Sequence, residues 1–213
     1  MTIAFLNADS LRDISAELLL PNGRLKLLPA ADYKNYSWDE FRLFCHTYAR
    51  YGIPTAELID HLKELIGDRS AIEIGAGAGD LGYHLGIKMT DSKQQERPDV
   101  AAYYKAMGQP PIRYPDDVEK IDALEAVKKY KPKVVVASWI TPYAPHPTSY
   151  GSNFLGVKED EILKLVDTFA IIGNLDIHRD KPIRKISHAN IHAPWILSRA
   201  KNPNNNCIFM WNK

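Results

Sequence analysis

The chain has 213 residues, 45% of them hydrophobic and 25% charged, which is enough for one sizeable core. Its 27 Lys and Arg nearly balance 26 Asp and Glu, and the net charge of +1 excludes broad attraction to a phosphate backbone or an anionic membrane, so a nucleic-acid partner would need a local patch. Two isolated cysteines, Cys45 and Cys207, suggest neither a zinc motif nor a disulfide framework; an N-terminus without a basic stretch and the lack of a long apolar run predict a cytoplasmic protein with no membrane span.

Residues 1–68 are expected to form a helical N-terminal extension. Ser37-Trp-Asp-Glu40 has the spacing of a capping box, and Phe41, Phe44, Cys45 and Tyr48 then recur at three and four, predicting a helix that ends near Gly52. Pro54 and Thr55 open a second helix, whose stripe is Leu58, Ile59, Leu62, Leu65 and Ile66, with Gly67 as its stop.

From residue 69 the pattern alternates. Ala71–Ile74 reads as a strand, Asp80–Leu85 as a short helix, 87–90 as a strand, 98–107 as a helix and 118–121 as a weak strand. A helix over 123–130 leads to Lys133-Val-Val-Val-Ala-Ser138, a β-branched run suited to a central strand. A Pro-rich loop over 141–152, a helix from Glu159 with a solvated acidic first turn, and a strand over 168–172 follow. The stretches 195–198 and 207–211 read as a final hairpin. The expected fold is a Rossmann-like α/β domain over 69–213, its sheet mostly parallel with an antiparallel C-terminal hairpin.

Between the first strand and its helix lies Glu73-Ile-Gly-Ala-Gly-Ala-Gly79, where three alternate glycines leave room for a ligand against the backbone. Gly77-Ala-Gly-Asp-Leu-Gly82 also satisfies the GxGxxG dinucleotide pattern, so a nicotinamide oxidoreductase competes. Dinucleotide folds place their ribose acid about 20 residues beyond the glycines. Here Asp91 ends the next strand only nine positions after Gly82. Asp80, in the turn itself, would repel a diphosphate but can meet the α-amino group of a methionine moiety.

Glu73-Ile-Gly-Ala-Gly-Ala-Gly79 resembles motif I of the class I S-adenosylmethionine-dependent methyltransferases, and the element order from about 70 to 211 is similar to that family's. The resemblance implies S-adenosylmethionine as cofactor, held at Glu73, Gly75, Gly77, Gly79 and Asp80. It implies Asp91 at the ribose hydroxyls, Asp122 at the adenine amino group, and Ser138 and Trp139 bordering cofactor and substrate. The interval from the loop to Asp91 is about one helical turn shorter than the family's, which keeps a catalytically inactive, methyltransferase-like binding protein as an alternative.

The acceptor is expected to be a small molecule. Trp139-Ile-Thr-Pro-Tyr143 partly matches the Asn/Asp-Pro-Pro-Tyr motif of nucleic-acid amino methyltransferases, but Thr141 stands where that motif needs its acceptor. His146 and His178, following the fourth and fifth strands, are the candidate general bases. His188 and His192 are four apart without a third ligand, so no metal is expected. Trp38, Tyr48 and Tyr51 either cover the cofactor pocket or pack the extension onto the sheet. Oligomeric state is not indicated.

Overall fold

A computed structural model describes residues 10–145 and 153–213. Its centre is a seven-stranded sheet made of β2 (Ala71–Ile74), β3 (Lys88–Asp91), β4 (Val118–Lys120), β5 (Val134–Ser138), β6 (Thr168–Asn174), β7 (Ala189–Ile191) and β9 (Asn206–Asn212). The order is β4-β3-β2-β5-β6-β9-β7. β2, β3, β4, β5 and β6 pair in parallel, and β9 runs antiparallel to both β6 and β7. The mixed α/β class with a mostly parallel sheet and antiparallel C-terminal strands is therefore the one the chain adopts.

Alternation along the strands builds two cores. Val135 and Ala137 of β5 face a layer with Ala123, Leu124 and Val127 of α6 (Ala123–Tyr130) and Ile162 of α7 (Glu159–Leu163). Val134 and Val136 face the other side, against Leu58, Ile59 and Leu62 of α3 (Ala56–Ile66) and Leu81 of α4 (Asp80–Leu85). The remaining helices are α1 (Ser15–Leu18), α2 (Trp38–Thr47) and α5 (Pro98–Ala106). No helix among the described residues is long and apolar enough to cross a membrane.

Local signals explain several boundaries. Ser37 Oγ accepts from the Glu40 amide and the Glu40 carboxylate accepts from Ser37 N–H, so α2 starts at the expected capping box. The N-terminal residues form their own apolar cluster, with Ile14, Leu18, Leu25, Phe41, Phe44 and Cys45 buried together.

The expected hairpin between 195–198 and 207–211 is differently paired. Leu197–Ser198 forms β8, which leaves the main sheet and pairs with β1 (Gly52–Ile53). The hairpin partner of β9 is instead β7, a strand too polar and short to stand out.

The first helical turn at Glu159 is also different from expectation. Glu159 is buried, not solvated, and its carboxylate pairs with Lys181. Asp160 and Glu161 do sit at partly or fully exposed positions in salt bridges with Lys164 and Lys158.

Candidate functional site

The strand order reverses between β2 and β5, which are neighbours although the chain visits β3 and β4 between them. Ligands in open α/β sheets bind at such a switch point, beyond the carboxyl ends of the strands. Here the glycine loop follows β2 and Trp139 follows β5, and one cleft is lined by both. Its wall includes Glu73, Gly75, Gly77, Asp80, Asp91, Asp122, Ser138 and Trp139, so the structure brings these sequence-selected residues together.

The loop takes its shape from backbone that other residues resist. Gly77 has φ +56° and Gly79 φ +70°. Gly79 forms the left-handed entry to α4, and a Cβ there would lie 2.9 Å from Met89 Sδ and Val118 Cγ2. It is thus buried against its neighbours, whereas Gly77 lines the cleft beside Ile112.

Carboxylates surround this loop. Asp91 Oδ2 accepts from Gly77 N–H at 2.9 Å, and its Oδ1 accepts from Lys93 N–H at 2.7 Å. Glu73 lies under the loop, 1% exposed, with Oε2 accepting from Gly82 N–H at 2.8 Å. Burial pushes its carboxyl up to about 8, and the nearby charges of Asp80 and Asp91 add to the shift. Asp91 is raised as well, again by burial.

Asp80 is engaged by the N-terminal segment. Its Oδ2 is 2.6 Å from Arg50 Nε, and its Oδ1 accepts from Leu25 N–H at 2.7 Å. Arg50 is fixed in turn by donation to the carbonyls of Tyr48 and Gly23, each at 2.8 Å. The ion pair lines the cleft, with both side chains less than a tenth exposed. Arg24, 2% exposed, donates to the carbonyl of Ala78 at 2.9 Å and to that of Gly79, and pairs with Asp117. Neither arginine stands out in the sequence, because each is a single basic residue whose partners lie elsewhere in the chain.

Asp122 is the N-cap of α6, with Oδ1 accepting from Leu124 and Glu125 N–H. Trp139 takes a left-handed conformation, φ +58°, and its indole lies against Tyr51, with ring centres 6.4 Å apart. Tyr51 lines the cleft, whereas Trp38 is 41% exposed on its helix and Tyr48 packs on Phe44. The outer wall comes from the segment after β3, through Gln95, Tyr104, Ile112 and Tyr114.

The candidate bases fare differently. His146 lies outside the described residues. His178 is 5% exposed, is not part of the cleft wall, and accepts the Asn174 N–H on Nδ1. Burial and the charge of Lys181 push it down to about 3, so it is a neutral core histidine wedged between Trp139 and Phe209, not a general base. No histidine lines the cleft among the described residues. Nor do three His, Cys, Asp or Glu side chains converge there as metal ligands.

The chain matches no protein-family model and no curated protein. It is similar in course to several solved structures. One is the precorrin-6y C5,15-methyltransferase of Geobacter metallireducens GS-15, with TM-score 0.41, 12% identity, and coverage of 76% of this chain and 91% of that one. An rRNA methylase of Streptococcus thermophilus gives TM-score 0.38 and 15% identity over 73% of this chain and 93% of the other. A Streptococcus mutans protein gives TM-score 0.40 and 8% identity over 72% of this chain; the chain spans about half of that protein's length, 47%.

Proposed function

We propose that the protein binds S-adenosylmethionine over the glycine loop and is a methyltransferase acting on a small molecule. The observation that carries this reading is the set of acids that occupies the loop. Glu73, Asp80 and Asp91 are all buried there, and the Gly77 and Gly82 amides already donate to two of them. A dinucleotide's diphosphate would need such amides and would find those of Gly77 and Gly82 already taken by Asp91 and Glu73. A cofactor carrying an ammonium finds acceptors in this set of acids, Asp80 first among them.

The residues divide the cofactor between them. Asp91, ending β3, suits the ribose hydroxyls, since a carboxylate has acceptor capacity beyond its two amide bonds. Asp122, with its cap bonds on Oδ1, suits the adenine amino group through Oδ2. At the other end the Arg50–Asp80 pair suits a zwitterion: Arg50 for the carboxylate and Asp80 for the ammonium. Gly75 and Gly77 keep the floor open, Glu73 and Gly79 shape the loop from beneath, and Ser138 and Trp139 border the reacting end.

The cofactor supplies a methyl group on a positively charged sulfur. In-line transfer of that group needs chiefly orientation from the protein. Without a histidine in the described cleft wall, an acceptor that brings its own nucleophilic lone pair fits best. The same observation favours a second reading, a methyltransferase-like protein that binds the cofactor without turnover.

Calorimetric titration tests the cofactor. S-adenosylmethionine and S-adenosylhomocysteine are expected to bind, and NAD is not. Binding of NAD alone would overturn the reading. Binding of the methionine cofactor with no methyl transfer across a metabolite panel would favour the second reading.

A further inference from the structure

Trp139 and Ile140 form the turn that closes the cleft beyond β5. The left-handed φ of +58° at Trp139 is disfavoured for a bulky side chain and persists only where the surroundings impose it. Three contacts impose it here. Trp139 N–H donates to Ile172 O at 3.0 Å, Val157 N–H donates to Thr141 O at 2.8 Å, and Lys181 Nζ donates to Ile140 O at 2.8 Å. The first two come from the backbone of neighbouring strands and loops. The third comes from a buried ammonium.

That ammonium is costly. Lys181 and Glu159 have side chains only 2% and 3% exposed, and they pair with each other in the core. Buried ion pairs are often no more stabilising than apolar residues of the same volume. This one does something apolar residues could not, because Lys181 delivers a charged donor to the carbonyl that follows Trp139. The turn is also interlocked with the loop opposite: a Cβ on Gly75 would lie 2.6 Å from Ile140 Cγ2. A shift of Ile140 would therefore be felt at the glycine loop, and a shift of Trp139 at Tyr51.

We propose that Lys181, neutralised by Glu159, is a positioning residue that holds the Trp139–Ile140 turn and so fixes the wall of the cleft at its reacting end. Neither side chain lines the cleft; they act through the Ile140 carbonyl. Burial lowers the proton affinity of Lys181 and raises that of Glu159, and the pairing offsets both.

The test follows Trp139 itself. Its emission and acrylamide quenching are isolated by subtracting the Trp139→Phe form in each background, since the chain has four tryptophans. Three variants are compared: Lys181→Met, Glu159→Met with Lys181→Met, and Glu159→Gln. The double Met form removes the donor without stranding a charge, and it serves if Lys181→Met alone does not fold. Glu159→Gln keeps the Lys181 donor.

Quenching of Trp139 is expected to rise several-fold in the Met forms and to stay near native in Glu159→Gln. Affinity for S-adenosylhomocysteine is expected to fall about tenfold in the Met forms, the scale of one charge-assisted hydrogen bond. A folded double Met form with native Trp139 quenching would overturn the proposal. Only the affinity arm rests on the cofactor reading: failure of the native protein to bind would sink that reading, while the quenching would still decide the role of Lys181.

Discussion

Asp91 accepts a hydrogen bond from the backbone N–H of Gly77 at 2.9 Å, so the acid that ends β3 and the floor of the glycine loop form one unit. The same carboxylate holds the Lys93 amide as the chain leaves the strand. Asp91→Ala would strand both amides. Stability is expected to fall by about 2 kcal/mol, and affinity for S-adenosylhomocysteine by roughly tenfold to a hundredfold. Urea unfolding and calorimetry measure the two. Native affinity in the folded Ala form would remove Asp91 from the site.

The glycines around the loop are expected to differ in what their substitution costs. A Cβ at Gly82 would lie 2.5 Å from Met89 Cγ and 2.6 Å from Glu73 Oε2, so Gly82→Ala forces α4 off the sheet. Overpacking of this kind costs about 1–3 kcal/mol, which exceeds the roughly 1 kcal/mol that Ala gains over Gly in a helix. Its melting temperature should drop. Gly77→Val places its side chain at the cleft, where a Cβ would be 3.4 Å from Ile112 Cδ1. Val also resists the φ of +56° there, so that variant should lose some stability as well as cofactor binding; retained affinity would show that the loop is not the shelf.

Gly75, Gly77 and Gly79 were legible in the sequence because a strand-to-helix turn with positive φ leaves a local signature. So did the capping box at Ser37 and Glu40, whose two bonds close within four residues. What escaped was non-local. Glu159 looks like any acid in a first helical turn, and only the fold brings Lys181 to it across 22 positions. Arg24 meets the glycine loop 54 and 55 positions away. His178 follows the fifth strand of the parallel set, as expected, but β6 runs on to Asn174, so the ring folds back beneath Gly173, where a Cβ would be 2.6 Å from Nδ1. Two extra strand residues convert a loop base into a core residue.

Arg24 gives a prediction that the sequence could not. Its guanidinium satisfies the buried carbonyls of Ala78 and Gly79. Arg24→Met should orphan both and lower stability by about 2–4 kcal/mol in urea unfolding. The ion pair with Asp117 adds little, because Asp117 is 53% exposed. Arg24→Lys should recover only part, since a single ammonium replaces a planar fork of donors. Full recovery by Lys would mean that charge alone, not the two-carbonyl geometry, holds the loop.

Glu73 sets the sign of the pH dependence. Burial, with Asp80 and Asp91 adding to it, lifts its carboxyl from 4.5 to about 8, against the lowering effect of the Gly82 N–H. The folded protein therefore keeps a proton that the unfolded chain has released. Its contribution is full below the unfolded value, declines as pH rises from about 4.5 to about 8, and is gone above that. Asp91, also raised, acts in the same direction. His178 acts oppositely: lowered to about 3, it loses stability for the fold as pH falls from 6.5 toward that value. Above pH 6.5 His178 therefore no longer opposes Glu73. Native urea midpoints should fall between about pH 6.5 and 8.5, and Glu73→Gln, whose amide oxygen can still accept from Gly82, should flatten that fall and overtake the native protein at the alkaline end. Parallel curves would mean that Glu73 is already ionised across the range, and the carboxylate field around the glycine loop would then be stronger still.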